Sequence, residues 1–417
     1  VTVFFAPGAF MTVQGRLLAL GDPYARIQMT PPPGSGPWGG LILQNTTHEN
    51  RILHVDFRNS SSGNQSLHVI ASRAWIEGCT WTGTGDNETI HGFGGILPGG
   101  EMVIEGNVFG TTTGYSDVID FTGGQRPGPI LQVLDNLFLG GSDDGLDLDG
   151  TDAHIEGNTF RDFGKQNTSD STSNAIATGE SGGVPAEITV VRNLFHNLDH
   201  AVLLKDGSSM IAEHHTFSGC PIAAVHFAEP NLPVNPGVGA HFEGCIFTGN
   251  AEIFEDYYVN HPVEGTTALT IDRCLIPAFW HGYGTGNSAA APLVADPLSR
   301  AEHLHPGSPA IGSGRVGLDR GGAVPAGVAI GGLPGVTNTL AALTLEVYGP
   351  GLTRYRHALD GEPVSPDTPL STPLELSTLT PGPHQLVVEG LNSAGIWQPA
   401  VTTIWTRVAT LPGEVRL

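Results

Sequence analysis

The stretch Val103-Ile-Glu-Gly-Asn-Val-Phe109 returns as His154-Ile-Glu-Gly-Asn-Thr-Phe160. Two more copies, Trp75-Ile-Glu-Gly-Cys-Thr-Trp81 and His241-Phe-Glu-Gly-Cys-Ile-Phe247, carry cysteine in place of the asparagine. Looser copies lie at Leu53-His-Val-Asp-Phe57, Val133-Leu-Asp-Asn-Leu-Phe138, Val190-Val-Arg-Asn-Leu-Phe195, Ile211-Ala-Glu-His-His-Thr-Phe217 and Ile271-Asp-Arg-Cys-Leu-Ile276. Alignment puts Val55, Cys79, Asn107, Asn136, Asn158, Asn193, His215, Cys245 and Cys274 in one column. An apolar column follows two residues later: Phe57, Trp81, Phe109, Phe138, Phe160, Phe195, Phe217, Phe247 and Ile276. Steps along the first column are 24, 28, 29, 22, 35, 22, 30 and 29 residues. A helical repeat keeps its period, whereas a solenoid lets loops of varied length bulge from constant coils.

Each phrase is a short β-branched or aromatic run, a turn residue and another short run, so the coil is built of strands. Strands stacked about 4.8 Å apart line up like residues as ladders. The asparagines are then expected to bond the backbone of neighbouring coils, and the phenylalanines to stack inside. Cysteines in the asparagine column read as small buried residues, with Cys245 and Cys274 as near neighbours. Their spacing matches no zinc pattern. The expected fold class is all-β, a parallel β-helix solenoid followed by a small β-sandwich.

This pattern resembles the right-handed parallel β-helices of the pectate-lyase-like superfamily over residues 1–335. Val13-Gln-Gly-Arg-Leu-Leu-Ala-Leu-Gly21 through Trp38-Gly-Gly-Leu-Ile-Leu43 is similar to opening coils of such modules. Leu304-His-Pro-Gly-Ser-Pro-Ala-Ile-Gly312 with Asp319-Arg-Gly-Gly322 is similar to a phrase that closes bacterial β-helices. Beyond Pro334 the chain alternates in the β manner, as in Leu343-Thr-Leu-Glu-Val-Tyr348 and Gln385-Leu-Val-Val-Glu389. Residues 340–417 resemble a small immunoglobulin-like β-sandwich, and the Gly/Pro-rich segment 321–337 reads as the linker. The opening Val1-Thr-Val-Phe-Phe reads as a strand entered mid-stride, so the chain is expected to be a piece of something larger.

Composition narrows the partners. Forty-one acidic against eighteen basic residues give a formal charge of −23. Nucleic acid and anionic membrane surfaces both call for basic patches, so neither is an expected partner. No apolar run reaches the roughly 20 residues of a membrane-spanning helix. Cation binding suits this charge, and oligomeric state is open.

The densest polar run is Ser142-Asp-Asp-Gly-Leu-Asp-Leu-Asp-Gly-Thr-Asp152, with five carboxylates in eleven residues. Crowded carboxylates repel unless something positive compensates them. Alternation along the strand sends Leu146 and Leu148 inward and Asp147 and Asp149 outward. Aligned coils stack Asp117 on Asp144 and Asp120 on Asp147, followed by the stretches beginning at Asn174, His200 and Ala223. Hard oxygen donors at this density suit calcium, which takes six to eight of them. The loop order of an EF-hand is missing, and so are the tandem copies of a nonapeptide β-roll.

Asp120 followed by Asp143-Asp144-x-x-Asp147 resembles the calcium aspartates of family 9 pectate lyases. The resemblance implies a secreted or cell-surface protein acting on acidic polysaccharide, with a lysine abstracting the proton α to a uronate carboxylate. Lys205 is the lysine on the same face, but it sits level with Asp149 rather than Asp147, and neighbouring Asp206 favours its ammonium form. A plain ion pair with Asp149 or Asp206 is the competing reading of Lys205. The candidate metal set is Asp117, Asp120, Asp143, Asp144, Asp147 and Asp149, and the candidate catalytic residues are Lys205 and His200. His200 and His226 are expected to project from the acidic face, and Tyr115, Trp280 and Tyr283 to line a glycan groove. Asp143-Asp144 also resembles the doublet of polygalacturonases, whose partner motifs are absent. A non-catalytic bacterial surface or adhesion module has the same profile, favoured if loops 161–173 or 228–240 cover the face.

Overall fold

The structure is a computed structural model that describes residues 1–60, 63, 65–165, 173–228, 235–255, 268–294 and 304–409. Among these residues the chain winds as a parallel β-helix with three sheets of ten stacked strands each, one strand per sheet per coil. Sheet I runs from Thr2–Phe4 to Ile246–Thr248, sheet II from Phe10–Val13 to Glu252–Glu255, and sheet III from Leu18–Leu20 to Ala268–Asp272. Sheet II adds a short hairpin strand, Val184–Pro185.

The recurring phrase forms the corner from sheet III to sheet I, and its glycine has a backbone cause. The residue before each ladder position has positive φ: Gly78, Gly106, Gly157 and Gly244 at 61°, 63°, 70° and 65°, but also His54, Asp135, Arg192, His214 and Arg273 at 50–57°. Glycine takes this left-handed conformation at no steric cost, and the other residues are held there by the stack around them.

The next residue closes the ladder. The Asn107 side chain accepts the Cys79 N–H at 2.9 Å, Asn136 accepts that of Asn107 at 2.9 Å, Asn158 that of Asn136 at 2.9 Å, and Asn193 that of Asn158 at 2.7 Å. His215 Nδ1, Cys245 Sγ and Cys274 Sγ continue the series, and Cys79 Sγ accepts from Val55 at 3.5 Å. All four cysteines are buried thiols. The column read from the sequence is therefore one continuous hydrogen-bonded line, and Asn287 caps its far end on the Cys274 N–H.

Two residues on, the rings stack in register from Phe57 on Trp81 to Phe217 on Phe247, with centroids 3.9–6.0 Å apart along the row. All are buried. A buried phenyl contributes about 1.5–3 kcal/mol through its apolar area, with offset stacking adding about 0.5–1.5 kcal/mol per pair.

After Asp272 the chain leaves the repeat. Trp280 is buried and packs edge-on against Phe254, closing the end of the core. Its expected place in a glycan groove is thus corrected: an indole at the open end of a stack finds its apolar partners there. The segment 321–324 then runs back along the helix, with Gly321 N–H on Gly244 O, Gly322 N–H on the Thr216 hydroxyl, and Val324 O accepting from Arg192. It is packed, not a loose linker.

The C-terminal strands form a three-stranded sheet and a five-stranded mixed sheet around their own core of Leu345, Val347, Tyr355, Leu386, Val388 and Trp405. Ala329–Gly331 already pairs with Leu343–Tyr348 in this β-sandwich. The sandwich meets sheet III through polar contacts: Glu213 accepts the Gly351 N–H at 2.7 Å, His214 meets the Tyr348 hydroxyl at 3.2 Å, and His154 meets Ser393 at 2.8 Å.

Candidate functional site

The outer face of sheet II is set by alternation. Ile119, Leu146, Ile176, Val202 and Val225 are buried in the core, so their neighbours form an outward row. Its register runs His68, His91, Asp120, Asp147, Ala177, Leu203, His226, Glu255. The aligned stretches of the sequence stack as expected. Parts of the two loops expected to decide whether this face is covered, residues 166–172 and 229–234, lie outside the described residues.

A second ladder stands at the corner entering sheet II. Asp117 Oδ1 accepts the Asp144 N–H at 2.9 Å, and Asp144 Oδ1 accepts from Asn174 N–H at 3.0 Å and from its Nδ2 at 2.8 Å. His200 Nδ1 meets Asn174 Oδ1 at 3.2 Å. Here Asp117 and Asp144 each receive the backbone N–H of the following coil, opposite in sense to the asparagine ladder. Asp117 and Asp144 thus double as corner residues.

Asp143 Oδ1 accepts from Lys165 Nζ at 2.8 Å, and that ammonium lies 4.3 Å over the exposed Tyr115 ring. One carboxylate oxygen each from Asp117, Asp143 and Asp144 lies within 4.8 Å of the others. Burial, then the Asp143 charge, pushes the Asp144 carboxyl up to about 7. Burial also raises Asp117 and Asp147 well above the usual carboxylate range, reinforced by their aspartate neighbours. Asp147 Oδ1 is buried without a hydrogen-bond partner. Burial raises Asp149 too, against the pull of Lys205.

Lys205 lies level with Asp149, one coil of glycine apart: Asp149 pairs with Gly179, and Thr178 pairs with Leu204. A Cβ on Gly179 would strike the Asp149 carboxylate and crowd the Lys205 chain, so glycine opens the space between them. The Lys205 charge reaches Asp144, Asp147 and Asp149.

The other predicted residues are engaged elsewhere. Asp120 belongs to a group with Glu88 and His91, whose Nδ1 lies 3.3 Å from Asp120 Oδ2 and 2.7 Å from Glu88 Oε2. Hydrogen bonds to Asp120 and then Glu88 push His91 up to about 10, making it the local cation. His200 is buried, its Nε2 2.9 Å from Glu255 Oε2 and its ring 4.7 Å from that of His226. The aspartates that come together are therefore Asp117, Asp143 and Asp144, with Asp147 stacked on Asp120 beside them.

Glu88, His91, Lys165, Asn174 and Glu255 escaped the sequence reading. Lys165 had a signal, being one of two lysines in a strongly acidic chain. His91 has Glu88 three residues before it on its own strand, but Asp120 reaches it from the next coil, and both partners of Glu255 arrive from other coils.

Fold and site together define a parallel β-helix with an acidic ledge on one sheet and a C-terminal β-sandwich. No protein-family model matches the chain, and no curated protein matches it in sequence.

Proposed function

We propose that the protein is a secreted or cell-surface β-helix that binds acidic polysaccharide through calcium held on the outer face of sheet II. The observation that supports this is the gathering of Asp117, Asp143 and Asp144 with their carboxylate oxygens within 4.8 Å. Burial and the neighbouring carboxylates press Asp117 and Asp144 toward the protonated form, so at neutral pH the ledge favours a cation. The donor set is hard oxygen, as calcium prefers, and the unbonded Asp147 Oδ1 is a further oxygen on the same ledge. Bound there, calcium would neutralise the aspartates and hold a uronate carboxylate. Exposed Tyr115 beside Lys165 offers a stacking surface for a sugar ring.

The same reading carries a chemical extension. Lys205 Nζ takes the C5 proton of the uronate, the electron pair forms the C4–C5 double bond, and the C4–O bond breaks, its oxygen taking a proton from water. Against this stands the carboxylate company of Lys205, which favours the ammonium over the free amine. That company favours the second reading, a non-catalytic surface or adhesion module with Lys205 as counter-ion. The division into a β-helix over residues 1–335 and an immunoglobulin-like domain over 340–417 belongs to this proposal as well.

One experiment separates the arms. The chain is incubated with polygalacturonate, alginate and other polyuronates, with calcium or chelator, while unsaturated product is followed by ultraviolet absorbance and binding by sedimentation. Calcium-dependent product lost in Lys205→Ala supports elimination, and calcium-dependent binding without product supports the module. Absence of both binding and a calcium-dependent rise in melting temperature removes the proposal.

A further inference from the structure

Beyond the aspartates, the outer face of sheet II carries a group of different chemistry. His226 and Glu255 are ladder partners on adjacent strands, and His200 sits on the strand paired with that of His226. Ligand atoms of the three residues all lie within 4.8 Å of one another. Both imidazoles are fully buried, while the Glu255 side chain keeps 32% of its surface open.

Hydrogen bonding fixes which nitrogen faces the carboxylate. Asn174 Nδ2 donates to Asp144 Oδ1, which turns Asn174 Oδ1 toward His200 Nδ1. That oxygen accepts only, so Nδ1 carries a proton. In the neutral ring Nε2 is then a lone pair, directed at Glu255 Oε2 across 2.9 Å. Lone pair against carboxylate is repulsive unless a positive charge lies between them, either a proton or a metal ion.

We infer that His200, His226 and Glu255 form a binding site for a zinc-class divalent transition metal, with a coordination position open on the Glu255 side. Two imidazoles and one carboxylate are the donor set of three-ligand zinc sites, and imidazole is a poor ligand for calcium or magnesium. Zinc–nitrogen bonds of about 2.0–2.1 Å give a tetrahedral edge of about 3.3 Å, close to the 2.9 Å that already separates His200 from Glu255. Asn174 serves as the outer partner that orients His200, itself anchored by Asp144 in the corner ladder. These ligands are distinct from the proposed calcium aspartates, of which Asp144 touches this site only through Asn174.

The test uses the full chain, stripped with chelator and dialysed, titrated with cobalt(II) and then zinc. One equivalent of cobalt should develop the visible bands of a four-coordinate site, and zinc should bleach them. His226→Ala and Glu255→Gln should each weaken binding by at least about tenfold, while Glu88→Gln, in the other histidine-containing group of this face, should leave it unchanged. Loss of a buried imidazole endangers folding, so the partly exposed Glu255→Gln, with an unaltered circular dichroism spectrum, carries the decision. Absence of both cobalt bands and zinc binding in the wild type overturns the inference and leaves a proton joining His200 to Glu255. Binding that survives Glu255→Gln and His226→Ala, or that is lost in Glu88→Gln, overturns it equally. A calcium response has no bearing on this outcome.

Discussion

Asn158 is the position at which the ladder is best tested. Its Oδ1 accepts the Asn136 N–H and the Asn136 Nδ2, each at 2.9 Å, and its Nδ2 donates to Val133 O at 2.8 Å and to Asn193 Oδ1 at 2.9 Å. Asn158→Ala leaves the buried Asn136 N–H without this acceptor and the Val133 carbonyl without this donor. An orphaned buried group costs about 1–3 kcal/mol, so two give a loss of about 2–6 kcal/mol. Asn158→Cys is the control written into the protein itself. At Cys79 the sulfur accepts the Val55 N–H at 3.5 Å and donates to Ile52 O at 3.3 Å, so a thiol performs both tasks, more weakly. The cysteine variant should therefore lose about half as much, roughly 1–3 kcal/mol. Urea denaturation with unchanged slope gives the comparison directly, and unfolding rates replace it if refolding is incomplete. Equal losses for alanine and cysteine, or an alanine loss under about 1 kcal/mol, would show that the side-chain line is not what ties the coils.

Two pH predictions follow from the buried carboxyls. Asp144 titrates near 7 when folded against 3.8 as an ordinary carboxylate, so the native state holds the extra proton. Its contribution is complete below about 3.8 and is lost as pH rises through about 7; Asp144→Asn should flatten that part of the melting-temperature profile, and calcium should restore stability on the alkaline side if the aspartates hold it. Glu213, also pushed up to about 7 by burial beneath Gly351 and Tyr348, makes the sandwich contact follow the same sign between 4.5 and about 7. Proteolysis at the sandwich boundary should therefore quicken above neutrality, and Glu213→Gln should abolish the dependence; a pH-independent cleavage rate in the wild type would contradict this.

The legible part of the fold was the part governed by local geometry. The corner from sheet III to sheet I needs a left-handed residue and then a short side chain able to reach the adjacent coil, so Gly-Asn recurs and announces itself. The Phe column follows because its members stand on the same inward position after every corner. Register on sheet II was also readable, since apolar Ile119, Leu146, Ile176 and Val202 mark the inward rows. Roles on the outward rows were not. Asp117 and Asp144 read as metal ligands alone, because nothing in their own strands shows that the N–H groups of following coils approach them. Likewise Lys165 for Asp143, His91 for Asp120 and Glu255 for His200 are pairings made across one or more coils, where loop length hides the neighbour. The packing of residues 321–324 against distant corners left no local trace either, since glycine and proline mark a linker and a tightly laid return segment alike.

The asparagine line has a consequence for how such a chain changes its size. Every rung offers the next the same pair of chemical handles, although the rungs stand 22, 29 or 35 residues apart. Excising 108–136 would splice one rung onto the residue after its neighbour, bringing Asn107 beneath Asn158 and Phe138 behind Asn107 as Phe109 now is. No new type of junction is created, because Asn158 already serves an asparagine below it. Duplication of the same stretch is equally neutral at the corner. The molecule is thus spelled in interchangeable syllables, free to lengthen or shorten by whole turns while the side chains on its outer faces drift independently.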